Sequence, residues 1–91
     1  MKNNGNEMTT LMQNMSKKMD SLQMTGNTDH DFAEMMIVHH QAAIEMAQAE
    51  IDSGNEEALK NLAKRIISDQ TKEIKELQQW LKKQQHRTKL S

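Results

Sequence analysis

An all-α fold, a single up-down-up helical bundle, is what this sequence predicts, and three observations carry it. The chain has no proline and only three glycines in 91 residues, so little interrupts helical backbone. Its apolar residues recur at spacings of three and four along three long segments, the period of an amphipathic helix. Turn-forming residues gather at "TGNTD" and around Gly54, which divides the chain into those three segments. A chain of this length forms one domain with a modest core, residues 1–91.

The first helix is expected over about residues 7–23, with residues 1–6 frayed. Met8, Leu11, Met12, Met15, Met19 and Leu22 form its apolar stripe. "TGNTD" then supplies a turn centred near Gly26, and Thr28 or Asp29 caps a second helix over about 29–53, with Asp31 in its acidic first turn. Gly54 supplies the stop. Asn55, followed by Glu56 and Glu57, opens a third helix over about 55–86. Its stripe is Leu59, Leu62, Ala63, Ile66, Ile74, Leu77 and Leu81, and it is interrupted by Gln70 and Glu73.

Short turns make neighbouring helices antiparallel, so heights can be matched by counting away from each turn. Around Gly26 the count puts His39 between Met12 and Met15, and Met46 close to Met8. Around Gly54 it puts His39 level with Asp69 and Gln70, and Met36 level with Lys72 and Glu73.

Composition excludes several classes of function. Twelve basic and thirteen acidic residues are interspersed and leave a formal net charge of −1, unlike a protein that grips nucleic acid with a basic field. No apolar run is long enough for a membrane span. The opening "MKNNGNEMTT" has no apolar signal core, so no export signal is expected within it. Ferritin-like bundles with di-iron centres use Glu-x-x-His repeats, and no glutamate here is followed three residues later by histidine. No serine or cysteine stands in a catalytic arrangement, so the chain is expected not to be an enzyme.

What the chain does carry is soft-ligand chemistry. Cysteine is absent, but there are nine methionines, a choice that suits oxidising surroundings in which exposed thiols would be lost. At 3.6 residues per turn, Phe32, Met36, His39, Ala43, Met46, Ala47 and Glu50 share one face of the second helix, with His40 on its flank. Thioether sulfur and imidazole nitrogen together suit copper(I), with silver(I) as its chemical mimic. Hard cations would need oxygen clusters that this face lacks. The expected metal ligands are therefore Met36, His39, His40 and Met46, with Met12 and Met15 able to add sulfur. One or both of Gln70 and Glu73 are expected to hydrogen-bond His39 or His40 and fix the ring orientation, as carboxylates and carbonyls do behind ligating imidazoles.

The same residues have plainer readings. Methionine fills cores adaptably, so the stripe on the first helix also reads as packing. His39 could be a core histidine bonded to Glu73. His30 reads as a solvated first-turn residue and His86 as a helix-end residue beside the C-terminal dipole. Trp80 reads as an apolar anchor at a height that lets it approach Phe32, and "KKQQHRTK" as a solvated basic end. The alternative function is a structural, self-associating bundle with a methionine-rich core and no metal.

Asp29, Phe32, Met36, "HHQAA" and "EMA", followed by Gln70, "EI" at 73–74 and Trp80, together resemble the domain of unknown function 305 family. Its members include exported copper- and silver-handling proteins. The resemblance covers residues 29–81 and implies a ferritin-like helical bundle, periplasmic or secreted, that binds copper(I) or silver(I). Carried over residue by residue, the implied ligands are Met36, His39, His40 and Met46. Two positions depart from the pattern. Val38 stands where many relatives have proline, which bears on helix shape, and Leu77 where many have methionine, which removes one thioether.

Helix lengths also bear on assembly. A first helix of about 17 residues spans roughly 26 Å, against roughly 45 Å for a third helix of about 30. It therefore reaches only to the level of Glu45 and leaves Met46, Ile51, Leu59 and Leu62 uncovered at the hairpin end. A second copy is expected to cover them, giving a homodimer or larger homo-oligomer with a four-helix cross-section.

Overall fold

The computed structural model describes residues 4–90, with side chains described at 7–85. Three helices make up the fold: α1 (Asn4–Ser21), α2 (Thr28–Ser53) and α3 (Glu57–Leu90). No strand occurs among the described residues. Helix α1 begins three residues earlier than the apolar stripe suggested; the remainder of the stretch expected to fray, residues 1–3, lies outside the described residues. Helix α3 continues to Leu90, because no glycine or proline follows Gly54 to stop it. The His86 side chain and those of the basic end beyond it lie outside the described residues, while Lys82 and Lys83 are exposed.

The two turns work by different physics. Gly26 adopts φ +88°, a left-handed conformation that glycine enters without steric cost. The cap of α2 is Asn27, not Thr28 or Asp29: its backbone is extended, and its side-chain Oδ1 accepts the His30 N–H at 3.0 Å. Asp31 then reaches back over the turn. Its carboxylate accepts from the Thr25 N–H at 3.0 Å, the Thr25 hydroxyl at 2.9 Å and the Gly26 N–H at 3.2 Å. At the second turn Gly54 has an ordinary φ of −76° and donates its N–H to the Glu50 carbonyl at 2.8 Å. The need for glycine there is steric, since a Cβ would stand 2.6 Å from the Glu50 carbonyl oxygen. The first backbone bond of α3 runs from the Lys60 N–H to the Glu56 carbonyl at 3.0 Å, so Glu56 is the cap position and Glu57, rather than Asn55, opens the helix.

Helix α2 is the middle of the structure, with α1 on one side and α3 on the other, and among the described residues α1 and α3 do not approach each other. The molecule measures 57 × 25 × 15 Å, close to one helix thick in its smallest dimension. Its radius of gyration is 16.0 Å, where a compact chain of this length has about 12 Å. The apolar residues that are fully buried are all alanines: Ala33, Ala42, Ala47, Ala49 and Ala63. On α2, Ala33, His40 and Ala47 recur every seven residues toward α3, and Ala42 and Ala49 lie almost opposite. Larger side chains stay partly open, with Leu59 50% and Leu62 41% exposed at the hairpin end, and Met46 and Ile51 half-buried there.

Two measurements test the first turn. Replacing Asn27 with alanine removes the cap and is expected to cost about 1 kcal/mol, seen as a fall in Tm of roughly 4–8 °C for a domain of this size; an unchanged Tm would show the cap to be idle. The Thr25 N–H holds the Asp31 carboxyl below the usual carboxylate range, helped by the Thr25 hydroxyl and the Gly26 N–H and opposed by partial burial. A lowered value in the folded state adds stability above the ordinary pKa and loses it as pH falls through the lowered one. The Tm difference between the native chain and Asp31→Asn should therefore be full near neutrality and shrink below about pH 4. A difference that stayed constant down to pH 2 would contradict this account.

Candidate metal centre

The centre is built where α2 and α3 touch. His40 lies on the alanine stripe of α2 and is 7% exposed. Its Nε2 stands 2.5 Å from Glu73 Oε1 on α3. Counting from Gly54 had matched His39 with Asp69 and Gln70, but the contact forms about one turn further from the hairpin. Side chains lean toward the N-terminus of their own helix, so in an antiparallel pair the imidazole of His40 and the carboxylate of Glu73 lean toward each other.

The histidines also exchange the places expected for them. His40 enters the seam, and His39 points outward and is exposed, with the ring centroids 6.4 Å apart. The cause is packing. Helix α3 seats on the stripe of Ala33, His40 and Ala47, whose alanines allow close approach, and not on the bulkier stripe of Phe32, Met36 and His39.

Ionised, Glu73 can only accept, so His40 donates through Nε2–H. In the neutral imidazole the lone pair then sits on Nδ1, an atom that is buried and has no hydrogen-bond partner. Gln70 Oε1 is a second buried atom without a partner. Such atoms cost free energy unless something fills their valence.

An open groove of about 640 Å³ runs past this pair. Phe32, Met36, His40, Glu73 and Trp80 line it, with Asp29 and Glu76 at its polar edge. The expected proximity of Phe32 and Trp80 takes this form: both border one groove. A second groove of about 340 Å³ continues along the seam, with Met46, Leu62 and Ile66 over the floor formed by Ala43, Ala47 and Ala63.

The expected ligands are thus only partly gathered. Met36 and His40 share a groove with Glu73, His39 lies beside them on the outer face, and Met46 belongs to the second groove. Met12, 55% exposed, and the half-buried Met15 are on α1, across α2 from α3, and line neither groove. Gln70 is half-buried on α3. His30, expected to be solvated, is half-buried, 3.6 Å from Asp31 and 3.7 Å from Glu34. Sequence reasoning missed Asp29, Glu76 and Leu77 as groove residues. The spacing of Glu73, Leu77 and Trp80 on α3 was the signal, since it places all three on one helical face.

Among the described residues no group of three or more histidine, aspartate or glutamate side chains is placed to hold a metal ion. The donors that line the first groove are one thioether, Met36, and one imidazole, His40, beside the carboxylates of Asp29, Glu73 and Glu76.

No helix among the described residues is long and apolar enough to cross a membrane. Comparison with curated proteins and with solved structures found no match. A family model does match, over residues 1–81, and on that match the chain belongs to the family described as domain of unknown function (DUF305).

Proposed function

We propose that this protein binds soft monovalent metal ions, copper(I) and silver(I), and sequesters or transfers them in metal tolerance or homeostasis. One observation carries the reading: Glu73 fixes the His40 ring, whose buried Nδ1 has no protein partner, and His40 lines a groove with Met36. A carboxylate behind an imidazole sets its tautomer and raises its basicity as a ligand. His39 and Met46 are the next donors along the helix. Met12 and Met15 could add sulfur only from a different molecule, because α2 stands between them and the groove. The role is one of binding rather than catalysis. A chain that holds thioethers and no thiols fits an oxidising compartment, in keeping with the exported members it resembles. Self-association, the other reading, finds support in the thinness of the layer and is compatible with the first.

Trp80 is the one tryptophan in the sequence and lines the groove, so its fluorescence reports on the site. Titration with silver(I), or with copper(I) under reducing conditions, should change its emission to saturation. His40→Ala should abolish tight binding with helicity retained. Glu73→Leu should weaken binding by roughly ten- to a hundredfold, the usual effect of losing the group behind a ligand. Undiminished affinity in His40→Ala would sink the reading. A preference for zinc over copper(I) would do the same, because zinc takes nitrogen, thiolate and carboxylate ligands.

A further inference from the structure

The layer exposes more surface than a finished domain should. Its accessible area is 6874 Å² for a mass of 10.5 kDa. A compact monomer of that mass exposes about 5,400 Å². The surplus of roughly 1,400 Å² per chain exceeds the ~800 Å² that each partner buries in a standard interface and falls in the range of stable homodimers.

Among the described residues, three of the six exposed large apolar side chains mark where that surface would close, while Met12, Met24 and Met35 line neither groove. Phe32 is 58%, Leu59 50% and Leu62 41% exposed, and all three line the grooves of the α2/α3 seam. At 100° per residue, Phe32, Met36, His39, Ala43 and Met46 fall within one arc of α2. Leu59, Leu62, Ile66, Leu77 and Trp80 fall within one arc of α3. The two grooves therefore open on the same side.

The ends of this face are complementary in shape. Phe32 and Trp80 stand at one end, and the alanine-floored groove lies at the other. A two-fold axis lying in the plane of the face, at right angles to the helices, would exchange the ends and seat each bulky end on the other copy's alanine floor, as an isologous interface requires. On α2, His39 is midway between Phe32 and Met46; on α3, Thr71 is midway between Leu62 and Trp80. The contact between His40 and Glu73 shows that these two midpoints lie at nearly the same height. One axis through the seam at that height satisfies both helices.

Such an axis lays α2 of each copy antiparallel over α2 of the other, so that the two His39 residues, at the midpoint of that face, meet at the axis beside Met36 and His40. We propose that two copies pair through the groove-bearing face of α2 and α3, and that the second copy's His39 closes the site begun by Met36 and His40. The shared site rests on the metal-binding reading above, whereas the pairing does not.

The test has two arms. Sedimentation equilibrium across a dilution series should give a dimer mass for the native chain and a monomer mass for Leu62→Lys, a substitution outside the proposed ligands. In the second arm His39→Ala and His40→Ala are prepared separately, and each should lose tight silver(I) binding. Mixed and allowed to exchange subunits, they should recover about one quarter of the native sites, because half of the pairs are mixed and each mixed pair holds one intact site. A site contained within one chain cannot be restored by mixing. A monomer mass at every concentration overturns the pairing, and a dimer whose mixed variants stay inactive overturns the shared site. A native dimer that binds no silver(I) sinks the metal reading together with the shared site, and the masses still decide the pairing.

Discussion

The structure depends on α2 being small on two opposite sides at once. Ala33 and Ala47 let α3 come close, and Ala42 and Ala49 fill the almost opposite side. Close approach multiplies dispersion contacts and strengthens the seam despite its small side chains. It also limits the hydrophobic gain, because an alanine removes little apolar area from water at about 25 cal/mol per Å². Two opposed faces cannot direct three helices around a common centre. They direct them into a row, and the large apolar side chains are left on the surfaces of that row.

His40 occupies the place in this seam that would otherwise belong to another alanine. A polar ring there raises the stakes of every atom it carries, since the seam is drier than the surface and an unpaired donor or acceptor costs more. Glu73 meets one ring nitrogen from the half-exposed lip, which fixes the ring without burying a carboxylate. The other nitrogen is left bare. In a core selected for stability alone an apolar residue would serve better at position 40. Under the proposed metal reading, the buried nitrogen without a partner is the atom left for the ion.

Much of this could be read from the sequence, and the failures have identifiable causes. The three helices followed from period and from the scarcity of breakers, and both glycine turns from composition. Asn27 was overlooked as a cap because Thr28 and Asp29 are equally good capping types, and only the Oδ1 contact with the His30 N–H decides among them. The choice between His39 and His40 turned on 100° of helix rotation, which a list of apolar positions cannot fix. The seven-residue repeat of Ala33, His40 and Ala47 held that information, because small residues at that spacing mark a face of close approach. The separation of α1 from α3 was not legible at all. Periodicity tells each helix which side is apolar, not how three such sides are arranged around one another.

The exposed face and the bare nitrogen belong to a single thermodynamic problem. A ligand that binds a paired state more tightly than a free one must strengthen the pairing by the same factor. On the proposed pairing, with His39 on the outer face and His40 within the seam, an ion that uses both draws them from opposite sides of the interface. Metal would then be the part of the core that alanines cannot supply, and its stabilising effect would grow with free ion concentration as any bound ligand's does. Under the two proposals together, the chain would be thin and weakly associated at low metal and paired and closed at high metal. Such coupling would give a role to two features of the seam, a polar ring among alanines and a second histidine immediately beside it, facing out.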